Sequence, residues 1–260
     1  MNDWLPFEDP KYSQGRYDVW LMPWIRDRIA RNQDVLGIFV GPRGTGKSYG
    51  ALELSYTCDS TVTEDRVFFN IVPFIDEIVD GNLRKGNALI LDDAGVFLNS
   101  RDWQSATNKA VSVVTQSFRY RNLITFITVP EWNFIDAQTR RLVNIFFEAT
   151  KEQGVFKIKL PEPNPIKRGE YMMKYPRIYP LNKSQRPHEV PVKTVKFGLP
   201  PRWLIDRYEA KRGLEIRAMQ KKVQRELHEL LESEPGEKKR RVNPNSLRNL
   251  KRGNEKPTRS

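Results

Sequence analysis

The 260-residue sequence contains one cysteine and two histidines. Cys58 alone cannot form an internal disulfide, and His188 and His228 are too isolated in the sequence to build a zinc site. The N-terminus lacks the basic start and apolar run of a secretory signal, and no segment approaches the roughly 18 consecutive apolar residues of a transmembrane helix. We therefore expect a cytoplasmic protein in a reducing environment, without an integral membrane segment.

Basic residues exceed acidic ones, and much of the excess is concentrated near the C-terminus. The chain has 44 Lys and Arg against 32 Asp and Glu, a net charge of +12. Residues 236–260 hold nine basic residues and two glutamates, hence a net charge of +7. We expect this segment to be a disordered tail, which either binds a polyanion by counterion release or only keeps the protein soluble.

Short apolar segments alternate with amphipathic ones from residue 34 onward, which predicts an α/β fold with a mainly parallel sheet. Hydrophobic residues make up 38% of the sequence, enough for a packed core. We predict core strands at 35–40, 66–71, 88–92, 123–129 and 145–149, and helices at 47–57, 73–79, 102–118 and 135–143. The full division is a lead-in segment (1–33), this core (34–160), a proline-rich β appendage (161–200), a charged helix (201–235) and the basic tail (236–260).

A glycine-rich motif follows the first core strand and opens the first core helix. It fits G-x-x-x-x-G-K-[ST], a pattern in which backbone N–H groups and a helix N-terminus surround phosphate oxygens. We expect Lys47 to contact the β- and γ-phosphates and the Ser48 hydroxyl to ligate Mg²⁺. A plain glycine turn is the alternative, but the strand and helix around the motif favour a nucleotide site. The predicted nucleotide-binding residues are Gly41, Pro42, Arg43, Gly44, Thr45, Gly46, Lys47, Ser48 and Tyr49.

Two aspartates follow the apolar run 88–91. A run that is apolar throughout indicates a central strand buried on both faces, and open α/β sheets bind ligands at the carboxyl ends of such strands. We therefore predict that Asp92 is a magnesium partner and that Asp93 takes a proton from an attacking water. The alternative is an ordinary solvated turn.

With these motifs, residues 34–150 resemble the additional-strand-catalytic-glutamate division of P-loop ATPases. Within that division the sequence looks like the FtsK- and HerA-like branch of DNA pumps, packaging ATPases and Zot-like phage proteins. The stretch 119–141 supports this branch, because its strand is followed by Ile135 and Asp136 and then by two arginines. The overall layout of the sequence is also similar to that of ATP-binding proteins of archaeal mobile elements. This layout includes three later residues, Leu199, Pro200 and Tyr208.

The resemblance implies a three-layer P-loop NTPase fold, ATP and Mg²⁺ as cofactors, and a homo-oligomer located in the cytoplasm or the virion. It also implies double-stranded DNA as the nucleic-acid partner, and a viral or plasmid protein as a further partner. Two positions depart from the family pattern. Asp93 stands where the family has glutamate, one methylene longer, so we expect slow turnover. The fourth strand ends in Thr128, Val129 and Pro130 rather than glutamine, and we transfer the γ-phosphate sensor role to Thr128 because its hydroxyl can donate a hydrogen bond.

Hydrolysis in such ATPases often needs an arginine supplied by a neighbouring subunit. The family's arginine follows the Ile-Asp pair, so Arg140 is the predicted trans-acting residue, although most arginines are solvated or pair locally. Other candidates are Arg101, Arg119, Arg121 and Arg141.

Aromatic and basic side chains alternate in the β appendage. A strand there would place them on one face, which suits stacking and phosphate contacts with single-stranded nucleic acid. Packing of the tyrosines into the appendage is the alternative. The residues are Tyr171, Met173, Tyr175, Arg177 and Tyr179.

The sequence thus favours a magnesium-dependent ATPase that translocates or packages DNA for a virus or plasmid. A nucleotide-gated assembly factor, either Zot-like or similar to a helicase loader, is the main alternative. A small-molecule kinase fits less well, given the acidic pair and the basic tail. A GTPase is disfavoured because the sequence lacks an Asn-Lys-x-Asp motif.

Overall fold

The computed structural model describes residues 20–93, 121–135, 137–164, 166, 171–181 and 185–233. The predicted helix 102–118, the tail 236–260, and the residues Arg101, Arg119 and Asp136 lie outside the described residues. The chain divides into two units, Met1–Glu215 and Ile216–Ser260.

Five helices and ten strands are present in the described residues. The helices are α1 (Leu21–Ala30), α2 (Lys47–Cys58), α3 (Ile71–Asp80), α4 (Ala137–Leu142) and α5 (Arg202–Ser233). The strands are β1 (Val35–Val40), β2 (Val67–Phe68), β3 (Ala88–Leu91), β4 (Ile124–Val129), β5 (Ile145–Ala149), β6 (Val155–Pro163), β7 (Tyr171–Lys174), β8 (Arg177–Ile178), β9 (Val190–Pro191) and β10 (Thr194–Lys196).

The central sheet has the strand order β10-β6-β5-β1-β4-β3-β2, and β7 pairs with β6. The five strands from β5 to β2 are parallel to one another, whereas β6, β7 and β10 are joined by antiparallel pairs. Strand β4 therefore lies between the strand that precedes the glycine-rich loop and the strand that precedes the two aspartates. This mixed, mainly parallel sheet with helices on its faces is an α/β fold of the P-loop NTPase type, as the sequence predicts.

Apolar side chains on both faces of the sheet form two buried layers. Along β1, Val35 and Phe39 pack in one layer with residues of α1, α2 and α5. Leu36 and Ile38 pack in the other layer with α3. Because all six residues of β1 are buried, the strand reads as a continuous apolar run rather than an alternating one.

Two predicted segments differ from the structure. The predicted strand 66–71 contains only β2, because the Asn70 side chain accepts a hydrogen bond from Val72 N at 3.0 Å and caps a helix that begins at Ile71. The predicted β appendage (161–200) is also not wholly separate from the central sheet. Strand β10 pairs with β6 in the central sheet, and Val195 and Phe197 lie in the core.

The second unit consists, in its described residues, of the continuation of α5 from Ile216 to Ser233. Its surface carries an exposed ion pair between Lys222 and Glu226, with 3.9 Å between Nζ and Oε1. None of the helices in the described part of the chain combines the length and apolarity needed to cross a bilayer.

Candidate functional site

The loop between β1 and α2 passes through backbone conformations that favour glycine. Gly44 and Gly46 have φ values of +80° and +89°. A Cβ at Gly46 would also lie 3.1 Å from the backbone nitrogen of Gly154, which donates a hydrogen bond to Thr45 O. Helix α2 begins directly after this turn, so the free N–H groups of its first turn lie at the loop and can bind an anion.

Lys47 is buried at the start of α2, and only 6% of its surface is exposed. Its Nζ donates to the carbonyl oxygen of Pro42 at 2.8 Å, and no carboxylate among the described residues forms a salt bridge with it. Burial lowers the pKa of Lys47, while the charges of Asp93 and Asp92 act in the opposite direction. Among the described residues this buried ammonium group has a hydrogen bond only to a backbone carbonyl, so its charge is not neutralised. It is therefore suited to bind an anionic ligand in the loop.

Asp92 is completely buried and accepts hydrogen bonds from three hydroxyl groups. Ser48 Oγ and Thr128 Oγ1 donate to Oδ1 at 2.8 and 2.6 Å, and Tyr208 OH donates to Oδ2 at 2.6 Å. These donors compensate the negative charge of a carboxylate that has no contact with solvent. The structure thus brings Asp92 beside Ser48, the two residues predicted to bind magnesium.

No group of three or more His, Cys, Asp or Glu side chains in the described residues is arranged to hold a metal ion. The Ser48 hydroxyl nevertheless fits Mg²⁺ as a direct ligand, with the buried Asp92 carboxylate behind it as an outer-sphere partner that accepts the Ser48 hydrogen bond. This ion prefers oxygen ligands, keeps several waters, and takes further ligands from substrate phosphates.

Asp93 occupies a left-handed backbone conformation, with φ of +48°. Its backbone N–H donates to Thr128 Oγ1 at 2.8 Å, and its Oδ2 lies 3.3 Å from a guanidinium nitrogen of Arg212. Burial, and then the charge of Asp92, raises the pKa of Asp93 above the usual range, while Arg212 and Lys47 partly oppose the shift. A non-glycine residue with positive φ at a strand end marks a position that the surrounding bonds hold in place.

Thr128 lies between the two aspartates near the end of β4. Its hydroxyl donates to Asp92 and accepts from Asp93 N, so it fixes the relative positions of both residues. Its predicted role as γ-phosphate sensor stays a prediction.

The structure places the predicted trans-acting Arg140 on α4, where its contacts are local. Its Nε donates to Ile135 O at 2.7 Å, and its guanidinium stacks 5.2 Å from the centre of the Trp132 ring. Another candidate, Arg121, donates to the carbonyl oxygens of Gly81 and Val79. The action of Arg140 in a neighbouring subunit remains a prediction.

Two side chains of α5 lie at the acidic pair, although the sequence does not mark them as site residues. The sequence pattern includes Tyr208 only in the overall layout and gives Arg212 no role. Yet they reach Asp92 and Asp93 respectively. The one available signal was the four-residue spacing of a tyrosine and an arginine on a predicted helix, which is too common to indicate a site.

Three tyrosines and one methionine of the β appendage are exposed at the surface. Tyr171, Met173, Tyr175 and Tyr179 are between 36% and 62% exposed. Acidic residues nonetheless accompany the basic ones here, since Lys174 pairs with Glu162 and Arg177 with Glu189. Nucleic-acid binding by this surface stays a prediction.

Comparisons with solved structures find distant likenesses. The chain is similar to the N-terminal domain of zonular occludens toxin from Neisseria meningitidis, with 16% identity and a TM-score of 0.35 over 58% of this chain and 96% of that chain. It is also similar to the AAA domain of FIGL-1, with 14% identity and a TM-score of 0.34 over 51% of this chain and 49% of that chain. No protein-family model and no curated protein matches the sequence. The class of the fold, that of P-loop NTPases, follows from the strand order, the loop and the acidic strand end described above.

Proposed function

We propose that this chain binds ATP with Mg²⁺ at the 41–48 loop and hydrolyses it to drive DNA translocation or packaging for a viral or plasmid element. The observation that supports hydrolysis is that the glycine-rich loop lies beside the two aspartates that follow β3. The hydroxyl of Ser48 lies 2.8 Å from Asp92, beside the buried Lys47. We include an archaeal mobile element as the origin in this proposal, on the resemblance of the sequence layout alone.

Each part of the site has a role in this proposal. The N–H groups of the loop and of the first turn of α2 bind phosphate oxygens. Lys47 exchanges its bond to Pro42 O for the β- and γ-phosphates. Ser48 and Asp92 would hold Mg²⁺, which when bound neutralises charge on the phosphates.

Asp93 is the proposed base. Its carboxylate accepts a proton from water while the water oxygen bonds to the γ-phosphorus and the bond from that phosphorus to the β-phosphate oxygen breaks. The raised pKa of Asp93 suits this role, because a more basic carboxylate accepts the proton more readily. Thr128 keeps the backbone of Asp93 in position through the hydrogen bond to its N–H.

Nucleic acid as the target is supported by the net charge of +12 and by the exposed tyrosines of the appendage. We include in the proposal a homo-oligomer in which Arg140 acts across a subunit interface, because an arginine supplied in trans can stabilise the charge of the transferring phosphate.

A nucleotide-gated assembly or loader protein is the second candidate. The contact between Arg212 and Asp93 favours this candidate, because the ion pair engages the carboxylate that would otherwise act as the base. Together with a side chain one methylene shorter than glutamate, this contact fits slow turnover and a switch that acts on a protein partner.

The deciding experiment measures ATP turnover with and without double-stranded DNA at low and high salt. We expect stimulation by DNA that decreases steeply as salt rises, because phosphate contacts release counterions. Lys47→Ala should lose ATP binding and Asp93→Asn should lose turnover, while Lys85→Ala, an exposed lysine bonded to Asn32, serves as the matched control. Turnover that is indifferent to DNA but raised by a protein partner would select the switch, and absence of ATP binding by the unmodified chain would refute both.

A further inference from the structure

Helix α5 reaches both aspartates of the site from one face. Tyr208 and Arg212 are four residues apart, so their side chains project from the same side of the helix. Tyr208 OH lies 2.6 Å from Asp92 Oδ2, and Arg212 lies 3.3 Å from Asp93 Oδ2. The helix that begins after the β strands therefore contributes directly to the proposed ATPase site.

The two contacts differ in strength. The Tyr208 bond is short and buried, and burial followed by the charge of Asp92 raises the pKa of Tyr208, so its hydroxyl remains a donor at neutral pH. Arg212 makes a longer contact with Asp93, and its side chain is 34% exposed. A guanidinium has five N–H donors, so this one contact leaves most of its donor capacity for another acceptor.

The charge of Arg212 also acts on the glycine-rich loop. It is among the charges that lower the pKa of Lys47, after the larger effect of burial. Arg212 contacts Asp93 at 3.3 Å, and the charges of both Arg212 and Lys47 act on that carboxylate, although the two residues lie 165 positions apart in the sequence. A polyanion that binds Lys47 would attract Arg212 as well.

We propose that Arg212 senses the terminal phosphate of ATP within its own subunit, leaving Asp93 for the γ-phosphate when ATP binds. This inference rests on the proposed function. With ADP, no γ-phosphate is present and Arg212 stays on Asp93. With ATP, the guanidinium moves to the phosphate, Asp93 becomes free to accept the proton of the attacking water, and α5 responds to the state of the nucleotide.

Two of the described arginines that the sequence suggested, Arg121 and Arg140, have guanidinium groups that donate to nearby backbone carbonyls. Arg212 instead contacts the acidic pair itself. Of these three arginines, Arg212 is therefore the one placed to exchange partners when a phosphate arrives.

The test compares binding of fluorescent analogues of AMPPNP and ADP, with Mg²⁺, to the full chain and three variants. Arg212→Ala removes the guanidinium, and Arg212→Lys keeps the charge but loses the planar donor fork. Arg207→Ala is the control, because Arg207 lies on the same helix, is 58% exposed and pairs with Glu64 instead. Thermal unfolding of each protein verifies that it is folded.

We expect Arg212→Ala to lower the preference for the AMPPNP analogue over the ADP analogue by about tenfold, the scale of one charge-assisted contact. Arg212→Lys should restore part of the preference, and Arg207→Ala should leave it unchanged. A preference that survives in Arg212→Ala, or equal weakening of both analogues, would overturn the inference while leaving the ATP site intact. Failure of the unmodified chain to bind either analogue would instead count against the proposed function itself.

Discussion

The hydroxyl of Tyr208 makes an interaction whose removal has a calculable effect. Tyr208 is fully buried and donates to Asp92, which is also fully buried. Substitution by phenylalanine removes the oxygen with little change of ring packing. Asp92 then keeps the bonds from Ser48 and Thr128 to Oδ1 and loses the one to Oδ2.

A hydrogen bond to a charged group contributes about 1.5–3 kcal/mol, and a buried acceptor that loses its donor is not compensated by water. We therefore expect Tyr208→Phe to lower the free energy of unfolding by about 2 kcal/mol. For a domain of this size each kcal/mol corresponds to roughly 2–4 °C, so the melting temperature should fall by about 4–8 °C.

Tyr49 provides the matched control for this measurement. Its hydroxyl also donates to a carboxylate, that of Glu209 at 3.0 Å, but at an exposed position. Thermal and urea unfolding without nucleotide should show a loss of less than about 1 kcal/mol for Tyr49→Phe, since water replaces the lost bond. If Tyr208→Phe proves no less stable than Tyr49→Phe, the assignment of Tyr208 as a buried support for Asp92 is refuted.

Three further predictions concern titratable groups. Burial and the charge of Asp92 raise the pKa of Asp93, so the acidic limb of the pH profile of kcat/KM should lie above the ordinary aspartate pKa of about 3.9. A limb at the ordinary aspartate pKa would contradict the role of Asp93 as base. Burial raises the pKa of Cys58 to about 12, so labelling by a thiol reagent at pH 8 should be slow in the native protein and fast in urea; equal rates would disprove this. Burial acts to raise the pKa of Asp59, but hydrogen bonds from Thr61, Ala88 N and Asn87 outweigh it and lower the pKa below its ordinary value. Its contribution to stability is therefore present above the ordinary aspartate pKa and lost as the pH falls through the folded value. Asp59→Ala should reduce the free energy of unfolding by about 2–4 kcal/mol and flatten this acid dependence, as urea titrations between about pH 5 and 2 would show.

The core of the fold could be predicted because its signals are local. The apolar strand 35–40 and the glycine-rich motif specify a strand, a turn and a helix start within a few residues of one another, and β1 and α2 begin at the predicted residues. The apolar pattern of 66–71 indicates a strand because β-branched and aromatic residues favour strands, but Ile71 instead begins the helix that Asn70 caps.

The contacts that complete the site were beyond sequence reasoning for a different reason. The bond between Tyr208 and Asp92 joins residues 116 positions apart, and that between Arg212 and Asp93 joins residues 119 apart. No periodicity or motif reports a pairing over that distance. Both contacts depend on the position of α5, which follows from the path of the chain through β6 and β10.

The same distance along the chain bears on the order in which the protein is made. A ribosome completes the glycine-rich loop early and the aspartates about 45 residues later, but Tyr208 and Arg212 emerge only after the whole sheet has been synthesised. During translation, the nascent polypeptide therefore contains two acidic side chains that still lack their partners from α5. A chain released before residue 208 would possess the phosphate loop without the groups that secure its acidic neighbours.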